Sequence, residues 1–263
     1  MVNSRIRIGF IGFGNMASAI ADGLILKDVV DKQNIYACAK SWEKLLDNTE
    51  KRGINACETS AETVENSDLV IVAVKPYLVK EVLEPIKDLL VGKAVVSIAA
   101  GCDFNFYEEF LIEGTNHLST VPNTPVSIGE GVFVCEEKHS LTKEQINGFI
   151  KIFSEIAVVE FVDTEHLSVG GTLSGCGPAF VAMFIEALAD AGVKHGLKRD
   201  VAYRLASKMV QGTGGLQLAT DMHPGAMKDA VCSPGGTTIR GVSKLEEKGF
   251  RGAIIAAIDE IEK

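Results

Sequence analysis

The feature that most constrains the fold is a short apolar run that leads directly into a glycine-rich turn. Residues 5–17 read R-I-R-I-G-F-I-G-F-G-N-M-A, and the apolar first half is typical of a buried strand. Gly12, Gly14 and Ala17 give the spacing G-x-G-x-x-A, and apolar residues at helical spacing follow as far as Leu26. A strand, a glycine turn and a helix in this order predict a turn that binds the pyrophosphate of a dinucleotide.

Each small residue in this turn has a separate task. Gly12 allows the tight turn, Gly14 lets the backbone approach a pyrophosphate, and Ala17 lets the helix pack closely on the strand. The first turn of the helix offers free N–H groups and the positive end of its dipole to the phosphates. The alternative interpretation is an ordinary connection between a strand and a helix.

Composition and charge limit the remaining possibilities. The chain has 263 residues, which favours two domains, and its 46% hydrophobic and 23% charged content is ordinary for a globular protein. A net charge of -9 argues against a nucleic-acid-binding surface, so we expect no nucleic acid partner. Six cysteines without a C-x-x-C pair and five histidines without H-x-x-x-H spacing predict neither a metal site nor a disulfide framework.

The same features indicate where the protein works. Scattered cysteines without a disulfide pattern are typical of a reducing compartment. The N-terminus leads almost directly into a predicted strand, which leaves no room for a signal peptide, and no apolar stretch is long and uninterrupted enough to span a membrane. We therefore expect a cytoplasmic protein without a membrane partner.

Strand patterns fill the first part of the chain and then stop. After the first helix, further apolar runs with the length and composition of strands lie at 34–39, 68–74, 93–100, 117–121, 131–135 and 157–162. The run at 68–74 is continuously apolar, as expected for a parallel sheet covered on both faces. Ser60 has the pattern of a helix N-cap. These runs predict an α/β fold with an N-terminal Rossmann-type doubly wound sheet, which forms a dinucleotide-binding domain at 1–162.

Residues 163–263 are predicted to form an all-α C-terminal domain. Apolar patterns indicate helices at 179–191, 199–220, 237–248 and 250–261, with another that begins at Pro224. The helix at 179–191 is apolar almost throughout, so we expect it to be buried on nearly all sides. Helices this apolar in about 100 residues favour a surface covered by a second copy, and hence a dimerisation domain and a homodimer. A self-contained bundle is the alternative.

The end of the second predicted strand bears on the choice of cofactor. A fold of this kind that prefers NADH usually has Asp or Glu there to hold the ribose 2′-hydroxyl. Here Ala39 and Lys40 are followed by Ser41, and a cation beside a hydroxyl suits a 2′-phosphate, so NADPH is favoured over NADH. The alternative is that Lys40 and Lys44 are solvated charges at the start of a helix.

Two further glycine-rich stretches lie in the helical part. The first reads L-S-G-C-G-P-A at 173–179, and the second reads V-C-S-P-G-G-T-T-I at 231–239. The second places consecutive glycines and two hydroxyls at a helix start, where free N–H groups can bind a small carboxylate. Thr238 can hydrogen-bond another polar atom of that ligand, and its alternative role is a helix-start cap.

Taken together, these stretches give the chain a resemblance to the pyrroline-5-carboxylate reductases. The matching motifs run through nearly the whole sequence and are I-G-F-G-N-M-A at 11–17, A-V-K-P at 73–76, S-I-A-A-G at 97–101, V-P-N-T-P at 121–125, L-S-G-C-G-P-A-F at 173–180, H-P-G at 223–225 and K-D-x-V-C-S-P-G-G-T-T-I at 228–239. The last is the family's signature region and is far more specific than the glycine turn.

The resemblance implies a reaction and a cofactor site. A nicotinamide cofactor, NADPH or NADH, delivers a hydride to the C=N carbon of the small-molecule substrate 1-pyrroline-5-carboxylate, giving L-proline in the last step of proline synthesis. The resemblance implies pyrophosphate contacts at Ile11, Gly12, Phe13, Gly14, Asn15, Met16 and Ala17. It places Lys40, Ser41 and Ser60 near the adenosine ribose. The implied nicotinamide side consists of Ala73, Val74, Lys75, Pro76, Ile98, Ala99, Ala100 and Gly101.

The resemblance also implies a substrate site and an assembly. Gly236, Thr237 and Thr238 bind the substrate carboxylate through backbone groups, and Ser174 is a further substrate-binding candidate. Thr238 is the catalytic candidate, because its hydroxyl hydrogen-bonds the ring nitrogen and assists proton delivery. Members of the family often form larger rings of dimers, with the active site at a subunit interface.

The chain departs from the family pattern at three positions. An acidic residue often opens the first helix of the second domain, near the substrate. Counting places Thr164 there and Glu165 one position later, so Glu165 is a substrate-binding candidate whose register stays open. Cys176 stands where many members have serine, and it is either a small buried residue or a reactive thiol. Ala230 stands where some members carry asparagine near the cofactor.

Two other functions stay open from the sequence. One is a related imine or β-hydroxyacid oxidoreductase, although Lys194 and Lys208 lack the glycine-rich helix motif of the β-hydroxyacid enzymes. The other is a non-catalytic dinucleotide-sensing protein on the same fold, because a fold alone does not fix a function.

Overall fold

The chain packs as two units. The computed structural model describes residues 6–263, so Arg5, at the start of the first predicted strand, lies outside the described residues. The first unit ends at Gly175, and the second is Cys176–Lys263. The segment at 163–175 packs with the first unit, although the sequence pattern groups it with the helices that follow. The predicted domain limits at 162 and 163 stay a prediction.

A mixed sheet of eight strands forms the centre of the first unit within residues 6–263. Its strands are β1 (Ile8–Ile11), β2 (Ile35–Cys38), β3 (Asn55–Ala56), β4 (Leu69–Val72), β5 (Ala94–Ser97), β6 (Asn116–Pro122), β7 (Gly131–Glu136) and β8 (Ala157–Val162). Their order in space is β3-β2-β1-β4-β5-β6-β7-β8, and pairing is parallel from β3 to β6. The order reverses between β1 and β4, which confirms the doubly wound sheet and places a crevice at the carboxyl ends of these strands.

The last two strands depart from the parallel pattern. β6 and β7 are antiparallel, with Thr120 opposite Cys135, whereas β7 and β8 are parallel. A single 3₁₀ turn, Thr124–Ile128, connects β6 to β7 and ends at Gly129, whose φ is +76°. A connection this short is compatible with antiparallel neighbours, because a parallel crossover needs a dozen or more residues.

Helices complete the first unit. They are α1 (Asn15–Leu26), α2 (Trp42–Arg52), α3 (Ser60–Glu65), α4 (Val79–Leu83), α5 (Lys87–Leu90), α6 (Phe104–Glu108), α7 (Lys143–Phe153) and α8 (Leu167–Gly171), with 3₁₀ turns at Lys32–Asn34, Pro76–Leu78, Glu84–Ile86 and Thr164–His166. The adjacent strand residues Phe10 and Ile11 belong to two different buried clusters. Since successive side chains of a strand point to opposite faces, the sheet has a core on each side.

Local side-chain bonds explain where two of these helices begin. The hydroxyl oxygen of Thr59 accepts a hydrogen bond from the Glu62 N–H at 3.1 Å, so Thr59 caps α3. The predicted cap, Ser60, is instead the first helical residue, because the helix begins one residue earlier than its polar pattern suggests. Thr142 and Gln145 form a reciprocal capping box at the start of α7.

Glycine in β1 lets a helix approach the sheet closely. A Cβ atom on Gly9 would lie 2.2 Å from the Ser67 hydroxyl oxygen and 2.9 Å from a methyl group of Thr63. Both neighbours are fully buried, and the Ser67 hydroxyl donates to the Thr63 carbonyl at 2.6 Å. The side chains around Gly9 therefore have little room to move.

The second unit is helical, and no strand follows Val162 within the described chain. Its helices are α9 (Gly177–Lys194), α10 (Arg199–Thr220), α11 (Pro224–Ala230), α12 (Thr237–Glu247) and α13 (Phe250–Ile261). The expectation that α9 is buried on nearly all sides is wrong for the single chain. Ala189 is its one buried residue, and Met183 is 69% exposed. The apolar sequence of α9 predicts that the helix is buried. It does not indicate whether the same chain or another chain buries it.

Within residues 6–263, one helical segment is long and apolar enough to cross a membrane, judged by length and composition. This segment is Thr164–Lys194, and it corrects the expectation that no stretch reaches this length. Length and composition are weak evidence for a membrane span, because apolar helices that are covered by protein share both properties.

The packing at Gly9 generates a stability prediction. We expect Gly9→Ala to lower the free energy of unfolding by about 1 to 3 kcal/mol, because the added methyl group overpacks a rigid site. Urea denaturation measures the change. Gly148→Ala in α7 is the matched control, since nothing lies within 4 Å of its Cβ position. Gly148→Ala should leave the free energy of unfolding unchanged or raise it by about 0.5 kcal/mol. Equal effects of the two substitutions would contradict the prediction.

Candidate active site

Two adjoining cavities lie at the carboxyl ends of β1, β2, β4 and β5. The larger has a volume of about 660 Å³ and the smaller about 480 Å³. Gly12, Ala39, Val74 and Leu78 line both cavities, so the two form one continuous cleft. This cleft occupies the position where the strand order of the sheet reverses, which is where open α/β sheets bind ligands.

Most of the predicted cofactor residues line this cleft. The larger cavity is lined by Gly12, Phe13, Gly14, Asn15, Met16, Ser41, Ala73, Val74, Lys75, Pro76, Ile98, Ala99 and Ala100, and the smaller one adds Ile11, Lys40 and Ser60. Two predicted residues do not line it. Ala17 is a fully buried residue of α1 that faces the core, and Gly101, with φ of +77°, follows the lining residues Ile98–Ala100. The binding roles of the whole set stay predictions.

The cleft also has lining residues that sequence reasoning did not assign to it. They are Cys38, Leu45, Glu58, Thr59, Leu78, Glu81, Val82 and Thr124, and the lining also includes Ala39 and Lys44. Glu58 and Thr59 follow β3, which is only two residues long and therefore shows no periodicity in the sequence. Thr124 lies just after the end of β6. Because ligands bind beyond the carboxyl ends of such strands, this position could have been used to predict it.

The glycine turn has the geometry that its spacing predicts. Gly12 has φ of +91°, and a Cβ atom there would lie 2.8 Å from the Ala73 carbonyl oxygen, so only glycine fits. Gly14 is the N-cap of α1, and nothing lies within 4 Å of its Cβ position. The cap has no side-chain hydrogen bond, and no acidic residue lies in the first turn. The positive end of α1 is therefore available to an anion in the larger cavity.

A buried hydrogen-bond network fixes the loop after β5. The Tyr107 hydroxyl donates to the Ser97 hydroxyl oxygen at 2.6 Å, and the Ala99 N–H donates to the same oxygen at 3.1 Å. The Thr120 hydroxyl donates to the Ser97 carbonyl at 2.8 Å. Burial raises the pKa of the Tyr107 hydroxyl, so this group stays protonated and acts as a donor. The backbone at Ile98–Ala100, which lines the larger cavity, is thereby held in place.

Charges of both signs surround the smaller cavity. Lys40 lines it and is exposed, as is Lys44 in the larger cavity, and neither ammonium group has an ion-pair partner among the described residues. Glu58 and Glu81 also line the smaller cavity. The two lysines can therefore meet a ligand phosphate, and the two carboxylates restrict where that phosphate can lie.

The second unit contains the glycine-rich turn that precedes α12. Gly235 has φ of +67°, and the Gly236 N–H donates to the Ser233 carbonyl at 3.0 Å. Gly236 is the N-cap of α12 and has no side chain to cap it, and the side chains of Thr237 and Thr238 are exposed. Neither hydroxyl forms a hydrogen bond within the described chain. The start of α12 therefore presents free N–H groups and two free hydroxyls.

The remaining substrate-site candidates lie near the end of the first unit. The Ser174 hydroxyl donates to the Gly170 carbonyl at 2.9 Å, so in this structure it bonds to its own helix. Glu165 is exposed in the 3₁₀ turn Thr164–His166. The neighbouring Thr164 hydroxyl donates to the buried Glu136 carboxylate at 2.6 Å. Of these two positions Glu165 alone presents a carboxylate, and its role stays a prediction.

The six cysteines and the other candidate metal ligands form no metal centre in the described chain. No group of three or more His, Cys, Asp or Glu side chains is close enough to hold an ion among residues 6–263. Cys176 and Cys232 are half-buried thiols, and the other four cysteines are buried.

Comparisons with known proteins match both units. A family model described as pyrroline-5-carboxylate reductase dimerisation matches residues 164–263, and one described as NADP oxidoreductase, coenzyme F420-dependent, matches residues 7–101. A pyrroline-5-carboxylate reductase of Treponema pallidum (strain Nichols) is 42% identical over 257 residues, which cover 96% of this chain and 97% of that protein. The chain belongs to the pyrroline-5-carboxylate reductase family.

Other members of the pyrroline-5-carboxylate reductase family agree over the same length. The Escherichia coli (strain K12) reductase is 39% identical over 253 residues, covering 96% of this chain and 94% of that protein. A crystal structure of the Plasmodium falciparum pyrroline carboxylate reductase with NADP bound superposes with a TM-score of 0.87 at 29% identity. It covers 98% of this chain and 96% of that one. The fold of both units is therefore the fold of this family.

The network around Ser97 generates a prediction for this reductase family member. We expect Ser97→Ala to lower the free energy of unfolding by about 2 to 4 kcal/mol, because it leaves the Ala99 N–H buried without its acceptor and removes the oxygen that accepts from the Tyr107 hydroxyl. Tyr107→Phe should cost about 1 kcal/mol, since Ser97 then keeps its bond to Ala99. Urea denaturation and fluorescence titration with NADPH measure the effects. Weaker NADPH binding is expected for Ser97→Ala but not for Tyr107→Phe. Equal stability losses and equal NADPH affinities in the two variants would refute the claim that Ser97 holds the backbone at Ile98–Ala100.

Proposed function

We propose that this protein reduces 1-pyrroline-5-carboxylate to L-proline with a hydride from NAD(P)H, the last step of proline synthesis. The observation that carries the proposal is the family signature at 228–239, which lies at the free N-terminus of α12 in a chain that also has a Rossmann cleft. Family membership over nearly the full length supports this reaction over a related imine or β-hydroxyacid oxidoreductase. It also supports an enzyme over a non-catalytic sensor of dinucleotides.

The residues of the cleft have the properties that a dinucleotide needs. A bound nicotinamide supplies the hydride in this chemistry. The free N–H groups at the start of α1 bind the pyrophosphate, and the open space at Gly14 lets it approach the backbone. Ala99 and Ala100 have side chains too small to obstruct a flat ring at the larger cavity. The Ser97 network holds their backbone rigid, so a ring placed there keeps its orientation.

The turn before α12 has the properties that the substrate needs. The carboxylate of the substrate binds to the free backbone N–H groups at Thr237 and Thr238, where the helix dipole favours an anion. The Gly236 N–H, also predicted to bind it, donates to the Ser233 carbonyl in this structure, so Gly236 contributes chiefly by leaving room for the carboxylate. The Thr238 hydroxyl hydrogen-bonds the ring nitrogen and assists its protonation. A protonated imine accepts a hydride at carbon without a covalent catalyst, so the protein's main task is to hold the two reacting carbons in position. Ser174 and Glu165 are proposed as further substrate contacts.

NADPH is the proposed preferred cofactor. Ala39 and Lys40, rather than Asp or Glu, stand directly after β2. Lys40, Ser41 and Lys44 line the cleft where a ribose 2′-phosphate would lie. The carboxylates of Glu58 and Glu81 in the smaller cavity oppose a phosphate close to them. The proposal therefore places the 2′-phosphate on the side of the cleft that carries the lysines.

The proposed assembly is a cytoplasmic homodimer, which can form larger rings. The match to a dimerisation domain supports it, and so does the exposed apolar surface of the second unit. In α10, Leu205 is 59% exposed and Met209 is 47% exposed, although both lie on its most apolar face. Patches of this kind mark interfaces in soluble proteins. A molar mass of one chain in sedimentation equilibrium would refute the dimer.

Thr238 provides the test of the reaction. We expect the intact enzyme to oxidise NADPH when 1-pyrroline-5-carboxylate is added. Thr238→Ala should lower kcat about 10- to 100-fold, because it removes a hydrogen bond that strengthens as the nitrogen gains its proton. Thr238→Ser should recover most of the rate, since it keeps the hydroxyl. Absorbance at the NADPH band measures the turnover.

Thr220→Ala is the matched control for this test. Thr220 is an exposed residue of the second unit whose hydroxyl donates to its own helix at Leu216. Its loss should leave kcat within about twofold of the wild type. The proposed function fails when the intact protein shows no turnover with this imine.

Lys40 provides the test of cofactor preference. We expect kcat/KM with NADPH to exceed that with NADH, and Lys40→Ala to raise the KM for NADPH about 5- to 10-fold, because a charge-assisted bond to the 2′-phosphate is lost. The KM for NADH should change less than about twofold. Lys51→Ala is the control, since Lys51 is an exposed residue of α2 paired with Asp47. A parallel change with both cofactors in Lys40→Ala would contradict the proposed contact.

A further inference from the structure

A wide helical turn follows α8. Residues Thr172–Cys176 form a π-helical turn between Gly171 and Gly177. Such turns insert one residue into a helix, so a backbone carbonyl loses its normal partner, and they are frequent at functional sites. Ser174 lies within this turn and is one of the proposed substrate contacts. The turn therefore needs a bond from outside the helix to keep its shape.

The side chain of Asn123 supplies that bond. Its amide nitrogen donates to the Ser174 carbonyl at 3.0 Å, and its amide oxygen accepts from the Val132 N–H at 2.9 Å. Asn123 is 6% exposed, so both bonds form out of contact with bulk water. Because one end of the amide must accept and the other must donate, Val132 fixes the orientation in which the amide nitrogen faces Ser174.

Two glycines bring the helix close enough for this contact. A Cβ atom on Gly170 would lie 2.8 Å from a Val134 methyl group, and one on Gly171 would lie 2.9 Å from a Val121 methyl group. The backbone of α8 therefore lies directly on β6 and β7. The Ser174 hydroxyl donates to the Gly170 carbonyl at 2.9 Å, which holds a second carbonyl of the same segment.

The strand end that carries Asn123 also forms part of the cleft. Thr124, the next residue, lines the larger cavity together with Ile98, Ala99 and Ala100. One buried amide thus joins the wall of the cofactor cleft to the π-helical turn. We infer that Asn123 is a positioning residue for hydride transfer, which fixes the Ser174 turn relative to the nicotinamide side of the cleft. The inference rests on the proposed function.

Asn123→Asp tests the donor without changing the size of the side chain. A carboxylate still accepts from Val132 but repels the Ser174 carbonyl, so kcat should fall about 5- to 20-fold at about pH 8. A protonated carboxyl can donate to that carbonyl, and burial favours protonation. The kcat of Asn123→Asp relative to wild type should therefore rise as the pH is lowered to about 6. Asn123→Ala should lower kcat to a similar extent at about pH 8, and its kcat relative to wild type should not rise as the pH is lowered.

Cofactor binding and a matched variant separate positioning from general damage. The Kd for NADPH should stay within about twofold in both variants, because Asn123 itself lines neither cavity of the cleft. Asn66→Asp is the control, since its amide also donates to a backbone carbonyl, that of Glu62, on the exposed end of α3. Its kcat should match the wild type at every pH. Equal pH profiles for Asn123→Asp and the wild type, or a kcat of Asn123→Ala within about twofold of the wild type, would overturn the inference. A parallel loss of NADPH binding would overturn it too.

Amide hydrogen exchange distinguishes this inference from the reaction itself. If the wild type does not turn over the imine, the proposed function fails, and exchange at 172–176 still decides whether Asn123 holds the turn. Faster exchange there in Asn123→Ala than in Asn66→Asp supports the positioning role. Equal exchange in the two variants refutes it.

Discussion

The close approach of Gly12 to Ala73 is the constraint on which the site depends. Parallel pairing brings the carboxyl ends of β1 and β4 together, and the tight turn at Gly12 then aims the start of α1 into the cleft. At the other end of the same strands, the Arg7 guanidinium donates to the Asp68 carboxylate at 2.7 Å, and this bond lowers the pKa of that carboxyl. The strand pair is thus fixed at both ends, and a side chain at position 12 would force its functional end apart.

Two different kinds of rigidity surround the cleft. The start of α1 is placed by the absence of a side chain, since only the backbone of Gly12 fits against Ala73. The loop after β5 is placed by a buried polar network, in which one serine oxygen accepts from two donors. A second buried hydrogen-bond network surrounds Glu136, whose carboxylate accepts from the Phe104 N–H and the Thr164 hydroxyl. Satisfied buried polar groups of this kind allow one arrangement and penalise the alternatives.

Much of the fold and most of the cofactor cleft could be predicted from the sequence, because both depend on local patterns. Continuous apolar runs identified the long strands, and the spacing of Gly12, Gly14 and Ala17 identified the tight turn that leads into α1. The features that were missed depend on contacts between distant segments. The two-residue strand β3 exists through its pairing with β2, and the antiparallel β7 follows from a short 3₁₀ connection. The π-helical turn at Ser174 is held by Asn123, and no local pattern records that bond.

The sparse burial within the second unit has a consequence for how the protein responds to dilution. Among the described residues of its helices, only Ala189, Ala202 and Ala206 are buried, and none of these has a large side chain. A unit with so little interior gains its folding free energy from whatever covers its apolar helices. When that cover is another copy, mass action makes the melting temperature rise with subunit concentration. Folding and assembly of this half of the chain are then a single thermodynamic event.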